Sequence, residues 1–259
     1  MALKQLSWDI DFLKDNPVFQ DENYGIPPEV KKISYPIRLV RYWFMYHFLR
    51  EDAARKGPLD VCEIGVDVGQ MLGFMHAAAE RGGEKVALAS WDAVDAIIRK
   101  ERLERVGYNH FYEVNLESPE FKLDDAKQYD AMILLHVLEH LFKPEELITK
   151  LVPHLKPGGM LIGGFPSTPQ SFAQSREDKI RPGARKYGHV SVFSPERVYD
   201  MAAANGLEVE FFTGAFFMRK SGFFMENYKW WMRFNLWFGA KFPGWPGETY
   251  WVLRKPAKG

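Results

Sequence analysis

The stretch Leu59–Met71, LDVCEIGVDVGQM, constrains this chain more than any other. Leu59, Val61 and Ile64 form a short apolar run of strand type, closed by Glu63, Gly65 and Gly69, and a helix-forming segment follows from Met71 to Ala79. Strand, glycine-containing turn and helix in that order suit a nucleotide cofactor. One glycine lets the backbone turn sharply and a second lets ligand and helix approach closely. The N–H groups of the first helical turn then face the ligand. The spacing separates cofactor classes. A dinucleotide fingerprint reads G-x-G-x-x-G, whereas this turn reads E-x-G-x-x-x-G with Asp67 where a middle glycine could sit. A carboxylate there repels a pyrophosphate and tolerates a cationic ligand. An ordinary tight turn is the competing explanation.

At 259 residues the chain can form one α/β domain with elaborations and bury a sizeable core. Lys+Arg and Asp+Glu balance at 34 each, which argues against a nucleic-acid enzyme with a basic surface. Cys62 is the only cysteine and falls in the expected core strand, so it reads as a small buried hydrophobe, and no internal disulfide can form. The N-terminus carries acids where an export signal needs a basic and then apolar run. No apolar run reaches the ~18 residues of a membrane span. The expectation is a cytoplasmic protein.

Residues 1–36 mix aromatics, acids and prolines and read as an N-terminal cap; residues 37–55 turn helical, so that 1–56 stand before the main domain of 57–259. Strand and helix signals then alternate, the mark of a parallel sheet. Strands are expected at 85–91, 111–114, 129–135, 160–165, 207–212 and 249–253, and helices at 93–106, 144–155 and 195–205. Asp92 closes the second expected strand, 23 positions after Gly69, where an acid can accept both ribose hydroxyls; a solvated loop aspartate is the alternative.

The Leu59–Met71 turn resembles motif I of the class I S-adenosylmethionine-dependent methyltransferases, usually D/E-x-G-x-G-x-G, from which Asp67 departs. Two further stretches carry the resemblance. YDAMILLHVLEHL at 129–141 is similar to motif IV of small-molecule methyltransferases, and LKPGGMLI at 155–162 to their turn before the fifth strand. Order and spacing match across residues 59–212. The resemblance implies a Rossmann-like, seven-stranded, mostly parallel sheet with helices on both faces and an antiparallel last strand. It implies S-adenosylmethionine held by Glu63, Gly65, Gly69, Asp92, Asn115, Leu116 and Leu135.

Methyl transfer from a sulfonium is an in-line displacement, for which the enzyme chiefly supplies orientation. A hydroxyl acceptor also needs a base or a metal ion. His136, Glu139 and His140 stand at i, i+3 and i+4 on one expected helical turn, and His189 follows in YGHVSVFS. This pattern is similar to the E-x-x-E-H…H metal site of small-RNA 2′-O-methyltransferases, with His136 in the place of a glutamate; a related Glu-His pair occurs in ubiquinone-pathway O-methyltransferases. The four residues therefore stand as a base cluster, as a divalent-metal site, or as a structural cluster. H-x-x-E-H also matches the inverzincin proteases, but Pro144 cuts the helix short.

Residues 166–188 read as a long polar lid or a disordered loop, with Arg181, Arg185 and Lys186. Residues 215–247 interleave aromatics with Arg219, Lys220, Lys229, Arg233 and Lys241 before the last strand. They read as a helical insertion that serves as core, dimer interface, acceptor wall or, over 215–245, a peripheral membrane contact. The leading expectation is O-methylation of a small-molecule, saccharide or lipid-linked acceptor, with no nucleic-acid partner. N- or C-methylation of a quinone-like aromatic, an NAD-dependent dehydrogenase and a non-catalytic S-adenosylmethionine-binding protein are the rivals.

Overall fold

A computed structural model describes residues 7–124, 126–185 and 188–257. Seven strands form one sheet: β1 Leu59–Ile64, β2 Leu88–Asp95, β3 Phe111–Glu113, β4 Tyr129–Leu135, β5 Leu155–Ser167, β6 Glu208–Gly214 and β7 Gly247–Arg254. Their order is β3-β2-β1-β4-β5-β7-β6. Pairing is parallel from β3 through β5, and β7 runs antiparallel to both β5 and β6. Strand order reverses between β1 and β4, so the carboxyl ends of those two strands open the crevice where such sheets bind ligands. The central strands read as they do because both faces are covered: Ala131 to Leu134 of β4 are wholly buried.

Helices α1 Pro17–Gln20, α2 Val40–Lys56, α3 Gln70–Glu80, α4 Lys100–Val106, α5 Pro144–Leu151, α6 Gln170–Ile180, α7 Pro195–Ala204 and α8 Lys229–Lys241 complete the fold. One apolar layer joins the N-terminal segment and α2 (Trp8, Trp43, Phe44) to the sheet face bearing Val61, Ile133 and Tyr250; the other face packs on α5 and α7 through Leu147, Ile148 and Val198. The cap is fastened by polar bonds as well. Trp43 Nε1 donates to the Asp9 carbonyl at 2.6 Å, and Trp8 stacks on His47 at 4.5 Å. That α2 is buried round most of its girth explains its aromatic content.

Three expectations are corrected. The second strand runs three residues further than its apolar start suggests, because Ala93 and Val94 continue the ladder against β1 and β3 in full burial. Asp92 therefore lies inside the strand and Asp95 ends it; α4 begins only at Lys100. The stretch after β5 is not structureless. It forms α6, which buries none of its residues and is tied down by Glu177 Oε2, which accepts from Val192 N at 2.7 Å and from Arg197 Nη1 at 2.7 Å. Lys186 lies outside the described residues. Thirdly, His136, Glu139 and His140 do not share an α-helical turn. Leu138–His140 is a single 3-10 turn, and His136 precedes it in the left-handed region at φ 54°.

Candidate active site

A cavity of about 760 Å³ opens at the carboxyl ends of β1, β2 and β4, within the range of small-molecule sites. Gly65, Asp95, Asn115, Leu116, Val137 and His140 are among its walls. Gly65 sits at φ 74°, and a Cβ there would lie 2.5 Å from Val137 Cγ2. The floor of the cavity thus admits backbone and no side chain, a cradle for a ligand that passes close to the strand end. Asp67 keeps φ 46° in the turn, and its carboxylate pairs with Arg99 at 2.6 Å, so it does not stand in the turn as an uncompensated charge.

Asp95 is the acid that sequence reasoning missed. Its Oδ2 accepts from Asp67 N at 2.9 Å and its Oδ1 from Ile97 N at 3.3 Å, which orients the carboxylate while leaving a lone pair on each oxygen. The available signal was the pattern WDAVD: buried residues on both sides of Asp92 carry the strand through it. Asp92 itself is wholly buried, with Lys127, Tyr129 and His110 around its two oxygens. It is not among the residues lining the cavity, where Asp95 stands instead.

The other expected cofactor residues divide. Gly65, Asn115 and Leu116 line the cavity. Gly69, at φ 81°, caps the start of α3 and leaves Leu103 and Tyr108 room to pack. Leu135 pairs with Gly164 at the end of β4, half-buried, while Val137 and Leu141 make the wall beyond it. Glu63 points away from the cavity and accepts from Tyr108 Oη at 2.6 Å and Trp91 Nε1 at 3.0 Å. Burial pushes its carboxyl up to about 7, more than those two hydrogen bonds lower it. Glu63 therefore anchors the packing beneath the turn. Cys62 is wholly buried, which pushes its thiol far up.

The histidine cluster does converge. The Glu139 carbonyl accepts from Val190 N at 2.8 Å and Ser191 N at 3.1 Å, which binds the segment after α6 to the 3-10 turn. His189 thereby meets His140, their rings 4.8 Å apart edge to face. His140 Nδ1 lies 3.1 Å from the Gly188 carbonyl, so that nitrogen carries the proton and Nε2 holds the free lone pair. Desolvation holds His189 below the ordinary imidazole range. His136 stands between two buried carboxylates, with Nδ1 3.0 Å from Glu139 Oε1 and Nε2 3.4 Å from Glu248 Oε1. The ring is thereby flanked by a carboxylate at each nitrogen, which holds it in place between β4 and β7. Burial alone would raise Glu139, but the adjoining His136 ring outweighs it and the carboxyl falls below its usual range.

Glu248 is a second residue that sequence reasoning missed, since it begins a strand 112 positions after His136. It is buried, and burial is outweighed by Arg41, His136 and Arg219, which hold it well below the usual carboxylate range.

Comparisons with known proteins agree with this geometry. A family model described as a methyltransferase domain matches residues 41–210. A proposed sarcosine dimethylglycine methyltransferase of Galdieria sulphuraria shares the fold with TM-score 0.54, 15% identity and coverage of 96% of this chain and 94% of that one. A proposed methyltransferase of Bacillus halodurans does so with TM-score 0.51, 18% identity and coverage of 82% and 99%. A ubiquinone biosynthesis O-methyltransferase of Rickettsia conorii is 45% identical over 47 residues, which span 18% of this chain and only 16% of that protein. With a cavity whose floor admits backbone alone and a strand-end acid on its wall, the chain belongs to the methyltransferase-domain family and is a class I S-adenosylmethionine-dependent methyltransferase.

Proposed function

We propose that the enzyme methylates a hydroxyl oxygen of a small-molecule or saccharide acceptor, with His140 as the base. The observation that carries this reading is the orientation of the His140 ring. Its Nδ1 faces the Gly188 carbonyl at 3.1 Å, and the residue lines the cavity. Nε2 is then the nitrogen left to take a hydroxyl proton as a general base. When bound, S-adenosylmethionine supplies an electrophilic methyl group on a cationic sulfur. Asp95 would hold its ribose, Asn115 and Leu116 its adenine edge, and the bare backbone of Gly65 would let it pass. Val137 and Leu141 keep water from the reacting side, and the acceptor's proton passes to His140. The 47-residue likeness to a ubiquinone O-methyltransferase supports oxygen as the acceptor atom.

Transfer of labelled methyl to a panel of phenols, sugars and amines tests the reading. Hydroxyl acceptors should be methylated and His140→Ala should reduce that transfer by about 10²-fold or more. Amine-only turnover, or full activity in His140→Ala, would overturn it.

A second reading rests on one observation. Glu139, His140 and His189 each offer a ligand atom, all within 4.8 Å of one another, and neither oxygen of Glu139 has a hydrogen-bond partner among the described residues. A carboxylate with two imidazoles suits zinc or another transition ion better than magnesium. Zinc titration by calorimetry decides: binding lost in His189→Ala supports the ion, and no binding by the wild type removes it.

The surface of the 215–245 insertion adds a feature of the acceptor's setting. Trp230, Trp237 and Trp245 are exposed, Lys241 stands over Trp237, and Lys220 stands over Phe223. No helix among the described residues is long and apolar enough to cross a membrane. Aromatics interleaved with lysines suit the interface of an anionic bilayer, and the acceptor is then presented from that surface.

A further inference from the structure

A second, smaller cavity of about 220 Å³ lies across His136 and Glu248 from the cofactor cavity. Its walls include Arg38 from the 3-10 turn before α2, Arg41 at the start of α2, Arg219 and Ser221 from the segment after β6, Phe216, and Glu248 at the start of β7. Three guanidinium groups thus face one carboxylate among the described residues that line it. That carboxylate is already engaged on both oxygens. Arg219 Nη2 at 2.5 Å, Arg41 Nη2 at 3.2 Å and His136 Nε2 at 3.4 Å approach its Oε1, while the Tyr250 hydroxyl donates to Oε2. A carboxylate offers about four lone-pair sites, whereas each guanidinium carries five N–H donors. The donors left over are visible. Arg41 Nε is buried with no hydrogen-bond partner among the described residues, and Arg38 Nε meets only the Ser221 hydroxyl at 3.3 Å. The next carboxylate, Glu226, accepts from the backbone N–H groups of Ile37 at 2.9 Å and Phe223 at 3.0 Å.

A buried, charged donor without a partner is costly to keep. Forked guanidinium groups around one small cavity match the geometry of an oxyanion. Arg41 sits deep, while Arg38 and Arg219 reach in from the exposed rim. We infer that this cavity is an oxyanion subsite, in which Arg38, Arg41 and Arg219 hold a phosphate or carboxylate group of the methyl acceptor. The inference rests on the O-methylation reading and names the acceptor class: an anionic one. Glu248 links the two cavities. It holds Arg41 and Arg219 on one side and His136 on the other, so an acceptor anchored by its anion lies one side-chain layer from the histidine cluster. Selection is then by charge: a neutral analogue leaves Arg41 Nε without a partner and the arginines with Glu248 as their one carboxylate in this cavity.

Calorimetric titration of inorganic phosphate and, separately, of acetate into the protein with S-adenosylhomocysteine bound reads the subsite directly. Saturable binding of one or both anions is expected, weakened roughly tenfold or more in the double variant Arg38→Gln/Arg219→Gln. Both side chains are on the rim, so the fold should persist, and S-adenosylhomocysteine affinity should be unchanged. Tighter phosphate than acetate assigns a phosphorylated acceptor, and the reverse assigns a carboxylated one. No anion binding by the wild type, or equal binding by the double variant, overturns the inference. Failure of the O-methylation reading would show separately, in the hydroxyl and amine panel with the wild-type enzyme.

Discussion

The backbone N–H of Asp67 donates to Oδ2 of Asp95 at 2.9 Å, fastening the turn after β1 to the end of β2. The residue that breaks the glycine pattern of the turn thus positions the acid to which we assign the ribose. Asp95→Ala should weaken S-adenosylhomocysteine binding by roughly 1.5–3 kcal/mol, the value of hydrogen bonds to a charged group. Asp92→Ala should instead lower the melting temperature, because it leaves the Lys127 ammonium and the buried Tyr129 hydroxyl without their acceptor, with cofactor affinity kept in the folded fraction. Paired titration and thermal melts check both. Affinity unchanged in Asp95→Ala would remove the ribose contact from Asp95, and affinity lost selectively in Asp92→Ala would move it to Asp92.

Gly65 gives a steric test of the cradle. A methyl group there collides with Val137 Cγ2 at 2.5 Å and also forces a side chain into φ 74°. Gly65→Ala should reduce cofactor affinity by about tenfold or more. Val137→Ala added to it removes the collision but not the backbone term of about 1–2 kcal/mol. Partial recovery of affinity in the double variant is the expected result, by titration. No recovery at all would mean that the left-handed backbone, not the contact with Val137, sets the requirement.

Much of this architecture could be read from residues alone, and the physical reasons differ element by element. The β4 run YDAMILL is apolar on both faces, so its place in mid-sheet follows from composition. Gly65 and Gly69 signal the turn because other residues rarely adopt their backbone angles. The end of β2 was misplaced because Asp92 looks like a strand terminator in one dimension. Only the partner set of Lys127, Tyr129 and His110, gathered from two separate segments, makes a buried aspartate tenable there. The local spacing of His136, Glu139 and His140 indicated proximity, but not that His136 would bridge to Glu248. That contact depends on the antiparallel return of β7, a long-range pairing that no local pattern encodes.

Glu63 makes stability depend on pH in a direction opposite to most carboxylates. Its folded pKa of about 7 lies above the ordinary value of 4.5, so proton binding favours the folded state. That contribution is whole below about pH 4.5 and is lost as pH rises toward 7. Glu139 and Glu248, which are shifted down, give contributions that are lost only on acidification below the ordinary carboxylate range. His47, lowered by burial, tilts stability upward with pH near its ordinary value, so the informative quantity is the difference between variant and wild type at each pH. Glu63→Gln should gain on the wild type by about 1–3 kcal/mol between pH 5 and pH 8. Denaturant melts at the two pH values measure it. A constant difference would show that Glu63 is charged throughout this range in the fold.

Adjacent tryptophans separate the structural and interfacial roles of the insertion. Trp231 is 8% exposed and stacks on Phe234 at 5.6 Å, whereas Trp230 is 58% exposed on the outer side of α8. Trp231→Ala removes a packed ring and should cost about 3–5 kcal/mol. Trp230→Ala should change stability by less than about 0.5 kcal/mol, as surface substitutions do. If the exposed aromatics and lysines meet an anionic bilayer, the protein should float with phosphatidylserine-containing vesicles and less well with neutral ones. Trp230→Ala/Trp237→Ala should then lose flotation while keeping the wild-type melting temperature. Flotation that survives this double substitution would place the membrane contact elsewhere. An absence of flotation in the wild type would leave α8 with its buried face alone, packed on β6 through Trp231, Met232 and Leu236.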